Sequence, residues 1–506
     1  MLVAFILYFA VVLGIGIWFF LRSKSGGDKE YFLGGRSMGP WVTAMSAQAS
    51  DMSGWLLMGF PGAILAAGLG QVWIGIGLAL GTIANWILVA RRLRRFSAAS
   101  GDSITLPQYL TNRFATANPS LKITCAVIFL ISFTVYVASA LRSGALVFVK
   151  VLPALEGKEV LALGIFAAIV LAYTFLGGYK AVCWTDFFQG LLMLGALLLV
   201  PIVMVVGDGS FNSELSGAFA EGIKPFATNP FTVPFSEIVS GLGWGLGYFG
   251  MPHILVRFMA IKDAKMVKKS ATVAGVWVVL TLGAAALIAI LGRTYLFGDG
   301  TSLAALLLPG SKENIFIEIV SRLFPGFIAG ILLAAIIAAA MSTADSQLLV
   351  ASSSFTSDLY QPLIRKNKAS EKETLWVGRI VVAIVTVVAF VIAMFGFLGI
   401  GGAWAGSIMD MVENAWGLFG AAFGPVVILS LFWRRFNYFG ALAGILAGAV
   451  TDIVWLFAIK PVTGIYEIVP GFIVGAAAAV VTTLLTKAPG KEVTDIYDAA
   501  TAEVEE

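Results

Sequence analysis

The 506-residue chain is short of charge and of the side chains that do polar chemistry: 12% of its residues are charged, it has one histidine, and it has two cysteines. Cys125 and Cys183 stand far apart in apolar surroundings, which argues against a disulfide framework or a thiolate metal site. The lone His253 cannot build an imidazole cluster, and no nucleophile motif is present, so enzyme chemistry is disfavoured. No GxxxxGK[ST] loop occurs, which argues against ATP as a power source. No polar stretch exceeds about 30 residues, too little for a fused nucleotide-binding or signalling domain. The net charge of +4 comes from residues scattered in short loops and forms no patch for a nucleic acid.

What the chain has is apolar surface, with 59% hydrophobic residues and a mean hydropathy of +0.92. That is more than one soluble core can bury, so lipid must cover the rest. Apolar runs long enough to cross a bilayer predict an all-α integral membrane protein with about thirteen transmembrane helices, near 2–21, 41–67, 72–90, 123–150, 160–175, 182–206, 235–256, 273–290, 327–350, 380–395, 416–432, 438–457 and 468–485. The first run lacks a basic start and a cleavage site, and Arg22 and Lys24 follow it, so it reads as a retained helix with its amino end outside. Alternate loops carry the positive charge: Arg22, Lys24, Lys29 and Arg36; the arginines at 91–95; Lys262, Lys265, Lys268 and Lys269; Arg365, Lys366, Lys368 and Lys372; Arg434 and Arg435. These loops face the cytoplasm by the positive-inside rule; the others hold little beyond Lys158, Lys224, Lys312 and Lys460.

Two spans are full of helix breakers. The second holds Asp51 within Ser50-Asp51-Met52-Ser53-Gly54, followed by Pro61; the seventh runs Gly241, Gly243, Gly245, Gly247, Gly250 and Pro252. Paired interruptions five helices apart point to a transport site, because unwound backbone frees carbonyls and half-helix ends for ligands. Small residues also serve close helix packing, but a carboxylate within the membrane has a cost that packing does not explain. Two five-helix repeats follow, and their odd length makes the second inverted. The expected organisation is an extra amino-terminal helix and loop (1–40), a first repeat (41–206), an external loop with the inverted repeat (207–433), two further helices (434–486) and a disordered cytoplasmic tail (487–506). In the ninth span Ala339, Ser342 and Thr343 share a face by i, i+3, i+4 spacing. Their oxygens, with the backbone carbonyls of Ala49 and Met52, give about five neutral hard ligands suited to a monovalent cation. The alternative is that the hydroxyls bond the preceding turn.

The strings GGRSMGP, ASDMSGWLLMGFPGA, SGLGWGLGYFGMPHILVRFMA, AGILLAAIIAAAMSTADSQLLVASSS and WGLFGAAFGPVVILSLFWRR resemble the sodium/solute symporter family along nearly the whole chain. The resemblance implies the LeuT-like inverted repeat and Na+-coupled uptake of L-proline, with Li+ a possible substitute for Na+, in the cell's inner membrane. It places Na+ on the carbonyls of Ala49, Met52 and Ala339 and the hydroxyls of Ser342 and Thr343. Asp51 is then needed for Na+ affinity without having to touch the ion. Substrate contacts fall on Ser53, Gly54, Trp55, Tyr136, Trp244, Tyr248 and Pro252, aromatic faces suiting a compact ring with a secondary ammonium. The lipid bilayer is the other partner.

Arg36 matches a basic residue near the inward mouth of the family's ion path, with a plain cytoplasmic anchor as the alternative. Asp186 matches a carboxylate linked to ion coupling, with a helix cap as the alternative. Asp345 departs from the family's hydroxyl, and together with Ser346 and Asp186 suggests a second, weaker cation site. His253 beside Pro252 reads as structural, bonding a freed carbonyl. Arg142, in an apolar helix, calls for a carboxylate partner or a path outward to the interface. Rival functions are coupled uptake of a sugar, vitamin carboxylate or compatible solute, and, from another class, a membrane sensor or channel.

Overall fold

The computed structural model describes residues 1–22, 33–176, 178–207, 227–297, 305–307, 311–400 and 406–502. Lys24, Lys29 and Lys224 lie outside these residues. The helices are α1 (Leu2–Arg22), α2 (Pro40–Asp51), α3 (Phe60–Ala67), α4 (Val72–Ala84), α5 (Arg91–Ala99), α6 (Leu106–Arg113), α7 (Ser120–Val151), α8 (Glu159–Leu176), α9 (Tyr179–Gly207), α10 (Phe235–Gly243), α11 (Pro252–Ala260), α12 (Val267–Phe297), α13 (Ile315–Leu323), α14 (Gly326–Ser353), α15 (Glu371–Phe397), α16 (Ile408–Phe432), α17 (Tyr438–Val454), α18 (Ile468–Leu485) and α19 (Lys491–Ala502). Among the described residues nine helices are long and apolar enough to cross a membrane, and Leu2–Trp18, Trp55–Ala67 and Glu159–Phe175 are shorter apolar helices. Leucines, valines and isoleucines such as Leu80, Ile131, Val206, Ile384 and Leu485 stand exposed on the outer faces, as lipid contact requires.

The breaks fall where the sequence puts them. Helix α2 leaves helical geometry at Met52, Ser53 and Gly54 make the corner, and the chain rewinds in a wide turn, with Phe60 N donating to the Trp55 carbonyl, before α3. Pro61 cannot donate to the preceding turn, which favours loose winding there. Helix α10 tightens at Trp244–Phe249, Met251 is extended, and α11 starts at Pro252, whose missing N–H is harmless at a first helical position. At their ends away from the breaks, α2 and α11 are tied: Lys262 N donates to the Met38 carbonyl at 3.0 Å.

The glycines of α10 and the tight turn allow a backbone-on-backbone crossing with α4. A Cβ on Gly77 would stand 2.3 Å from the Gly241 carbonyl oxygen, and one on Gly81 2.3 Å from that of Gly245. Helix α14 is the central post, buried at every position from Leu332 to Ser353.

Three of the basic loops meet at one end of the bundle. Arg94 donates to the carbonyls of Ile261 and Lys262, and Arg92 donates to that of Leu431. The tail expected to be disordered contributes α19 to the same end. Its apolar positions Val493, Ile496, Tyr497 and Ala500 recur at helical spacing. Arg113 Nη1 donates to the Val493 carbonyl at 3.1 Å, Tyr497 meets Phe96 edge-on with centroids 5.4 Å apart, and Asp498 takes a two-point bond from Arg434 at 2.7 and 2.6 Å. A polar sequence average hid an amphipathic face.

Candidate functional site

The two breaks and α14 converge. Ser342 Oγ lies 2.8 Å from the Ala49 carbonyl oxygen and 3.2 Å from that of Ala339, so the hydroxyl of the post meets the carbonyl of the broken helix. Thr343 Oγ1, one residue on, is buried and has no hydrogen-bond partner among the described residues. Several other buried or half-buried helical threonines behave ordinarily: Thr134, Thr174, Thr281, Thr386 and Thr483 each bond the carbonyl four residues back, although Thr82 Oγ1 is unpartnered too. Thr343 does not, so the local-bonding alternative fails for it. Three of the five expected ligand residues, Ala49, Ala339 and Ser342, are in direct contact, Thr343 adjoins them in sequence, and Met52 closes the last turn of α2 through its N–H to Gln48 O.

Asp51 is the hub of the aromatic group. Tyr136 Oη and Trp55 Nε1 donate to its carbonyl at 3.0 and 3.2 Å, and Tyr248 Oη donates to its Oδ2 at 2.5 Å. Its Oδ1 is buried and has no hydrogen-bond partner among the described residues. Ser53 Oγ accepts from Trp55 N at a long 3.4 Å. Gly54 is pressed on α7, where a Cβ would stand 2.2 Å from Ser143 Oγ; only glycine lets the corner pass. Trp244 packs on Tyr466 with centroids 5.2 Å apart. Pro252 begins α11 at the second break.

Trp416 completes this wall, and the sequence reading gave it no role. Its Nε1 donates to the Trp244 carbonyl at 2.7 Å, its ring stands edge-on to Tyr248 at 5.0 Å, and Gly247 leaves room for its indole. The one available signal was a tryptophan heading WGLFG, a glycine-rich stretch of small residues.

One turn further along α2 and α14 lies a polar knot built on Arg257, likewise missed. Arg257 Nη2 meets Asp186 Oδ2 at 3.0 Å and Ser346 Oγ at 2.5 Å, Nε donates to Ser46 Oγ at 3.0 Å, and Nη1 donates to the His253 carbonyl at 2.6 Å. Ser46 Oγ also donates to Asp186 Oδ2 at 2.7 Å. Asp186 lies inside α9, fully buried, which removes the capping alternative. Asp345 Oδ1 is 3.4 Å from Ser346 Oγ. An arginine in the apolar run HILVRFMA was the readable warning. The bond at His253 runs through its backbone, while the ring packs edge-on against Phe133 and Tyr136 at 5.8 and 6.3 Å.

Arg36 is no exposed anchor. It is buried, with Nη1 on Ser97 Oγ and the Met259 carbonyl, Nη2 on the Ser103 carbonyl and Nε 2.7 Å from Asp102. It joins the start of α2 to the end of α11 and to the loop after α5. Among the described residues Arg142 has no partner within ion-pair distance, and it does not reach outward: it is buried, with its guanidinium 4.7 Å over the Phe397 ring.

Two broken helices around a polar site at the centre of an all-helical bundle define a secondary transporter. Comparison with known proteins gives the family. A family model described as "Sodium:solute symporter family" matches residues 31–448. The chain is 43% identical to the sodium/proline symporter of Escherichia coli (strain K12), over 97% of this chain and 94% of that protein. It is 42% identical to the high-affinity proline transporter PutP of Bacillus subtilis (strain 168), over 95% and 98%. Among solved structures, a Na+-coupled sialic acid symporter in a substrate-bound outward-open state superposes with a TM-score of 0.75 at 21% identity, covering 96% of this chain and 98% of that one. MhsT in complex with L-phenylalanine superposes with a TM-score of 0.54 at 13% identity, covering 88% and 97%. At such identities the structures speak for the fold alone. The chain belongs to the sodium:solute symporter family, and is a transporter, not an enzyme.

Proposed function

We propose that this chain carries L-proline into the cell together with Na+ by alternating access, in the inner membrane. The observation that carries the reading is the 2.8 Å approach of Ser342 Oγ to the Ala49 carbonyl oxygen, beside the unpartnered Thr343 hydroxyl: two facing elements offer uncharged oxygens at one point. The carbonyls of Ala49, Met52 and Ala339 and the hydroxyls of Ser342 and Thr343 hold the ion, and Li+ can replace it.

Proline sits against Trp55, Tyr136, Trp244, Tyr248 and Trp416, with Ser53, Gly54 and Pro252 at the two corners. Its ring packs on aromatic faces and its ammonium is drawn to Asp51 Oδ1. Relatives named as proline transporters, at 40–43% identity over nearly the full chain, support the choice of solute. Coupling follows from shared parts: Asp51 contributes its neighbours to the ion side and its carboxylate to the substrate side. Filling one site orders the other, and the effect is reciprocal.

Thirteen crossings, with α2 and α3 forming one broken span and α10 and α11 another, give two five-helix inverted repeats flanked by one helix before and two after. The basic loops and α19 face the cytoplasm, and Arg36 and Arg257 line the inner end of the ion's path. Each Na+ entering adds roughly 2.3 kcal/mol per 100 mV of membrane potential.

The test is labelled-proline binding and uptake by purified protein titrated with Na+, Li+ and K+. Saturable uptake in Na+ or Li+ but not K+ is expected, and equal uptake in choline buffer overturns the reading. A competing panel of sugars, carboxylates and other compatible solutes should leave proline uptake intact.

A further inference from the structure

We propose that the basic cavity between α5, the loop after α11 and α19 is a binding site for a phosphate group, either that of an anionic lipid headgroup or that of a soluble phosphate compound. The proposal stands apart from the ion and proline sites, and neither of them depends on it.

The cavity has a volume of about 470 Å³ and takes its walls from three separate elements. Arg94 and Arg95 come from α5, and Lys262 and Asp263 from the loop that follows α11. Alanines make up the rest of the lining: Ala98 and Ala99 on α5, Ala264 beyond the loop, and Ala499 and Ala500 on α19. A methyl group reaches little past its own backbone, so space stays open in front of the charged side chains. Three cationic side chains share the lining with one carboxylate. That carboxylate is engaged, since Asp263 Oδ1 accepts from Lys265 N at 2.8 Å and caps the turn before α12.

The positive field extends beyond the cavity wall. Burial first, and then the charge of Arg94, hold Arg36 below the ordinary arginine range, with Asp102 opposing both. A bound phosphate offsets such a field, and its oxygens match the guanidinium and ammonium donors of this wall. Depth in the membrane favours phosphate over other anions. The chain that leaves the cavity enters α12, where Lys269 Nζ stands 5.6 Å from the Trp41 ring. Trp41 is exposed, and tryptophans of that kind mark the headgroup level of a bilayer. Arg92, on the same helix as Arg94, has its guanidinium 4.3 Å over Phe432, which is exposed as well. The cavity thus lies near the level of lipid phosphates. An anion held there ties α19 to α5. Through the bond from Arg94 Nε to the Ile261 carbonyl at 2.7 Å, it also steadies the end of α11 away from the break.

Calorimetric titration of the purified full chain in neutral detergent tests the site. The probes are dihexanoyl phosphatidylglycerol, glycerol phosphate and inorganic phosphate, with zwitterionic dihexanoyl phosphatidylcholine as the control. Saturable binding of one equivalent of phosphatidylglycerol is expected, with none of phosphatidylcholine over the same range. Lys262→Glu should weaken it about tenfold or more, the scale of a lost charge-assisted contact. Lys372→Glu, the same charge change at the start of α15, should shift it by less than about twofold, because salt screens distant charges. Ala499→Phe and Ala98→Gln add bulk at two exposed positions of the lining without changing charge, and each should abolish binding. Should one of them fail to fold, the other carries the test, since they lie on different helices. Binding of phosphatidylglycerol alone assigns the site to lipid, and competition by the soluble phosphates opens it to solution; both results keep the proposal. It is overturned if none of the three probes binds saturably or if phosphatidylcholine binds equally well. Equal losses in Lys262→Glu and Lys372→Glu, or unchanged binding in the bulky variants, overturn it too.

Discussion

Replacing Thr343 with valine isolates the ion-binding role of one hydroxyl. The two side chains have nearly the same shape, and position 343 is fully buried in the middle of α14. Thr343 Oγ1 has no hydrogen-bond partner among the described residues, and a buried hydroxyl in that condition costs roughly 1–3 kcal/mol. Exchanging it for a methyl group therefore leaves folding unharmed or improves it. Binding should move the other way, because a hydrogen-bond-like contact to a charged partner contributes about 1.5–3 kcal/mol. At 1.4 kcal/mol per factor of ten, the Na+ concentration for half-maximal proline uptake rises roughly 10- to 150-fold. The assay pairs Na+-dependent uptake in proteoliposomes with thermal unfolding of the solubilised protein in K+ buffer. A half-saturating Na+ concentration within a factor of about two of wild type, with the protein folded, would refute the placement of the ion on this hydroxyl.

Other substitutions probe neighbouring contacts. Tyr248→Phe removes the donor to Asp51 Oδ2 and should raise the proline KM and the Na+ requirement together; a change confined to one of them argues against Asp51 as the link. Gly81→Ala drives a methyl group into the Gly245 carbonyl, and overpacking of this kind costs about 1–3 kcal/mol; a lower unfolding temperature with reduced transport is expected, and an unshifted melt contradicts the close crossing. The bond from Arg434 holds the Asp498 carboxyl below its ordinary range. A depressed carboxylate stabilises docking of α19 above its unfolded value and loses that contribution only as pH falls through the lowered one. Protease sensitivity of the α19 region should thus be flat from pH 8 to 5 on the usual carboxylate scale, while Asp498→Asn at neutral pH should cut faster; a sensitivity that climbs already near pH 6 points to another group.

Much of this arrangement is legible in the chain because its cues are local. Gly54, Pro61, Gly245, Gly250 and Pro252 break helices by their own backbone chemistry, and Ala339, Ser342 and Thr343 share a face by arithmetic of the helix. The contacts that were missed are those the sequence separates. Arg257 and Asp186 are 71 positions apart, and Trp416 and Trp244 are 172 apart, so neither partner advertises the other. Arg142 defeats charge-based reasoning for another reason: its partner is an aromatic face, and aromatic rings abound here. Helix α19 was lost by weighing polarity over a whole stretch when its apolar positions carried the periodicity.

The docking of α19 also bears on how the protein is made. The Arg113 to Val493 bond closes a loop of 380 positions, and at about 5–20 residues per second roughly 20 to 75 s separate the synthesis of its two ends. Until then Phe96 and Arg113 lack their lid, and the nascent chain shows an unfinished aromatic and basic face at that end of the bundle. Docking of α19 is therefore a late event of assembly, one that a chain stalled before residue 493 cannot reach.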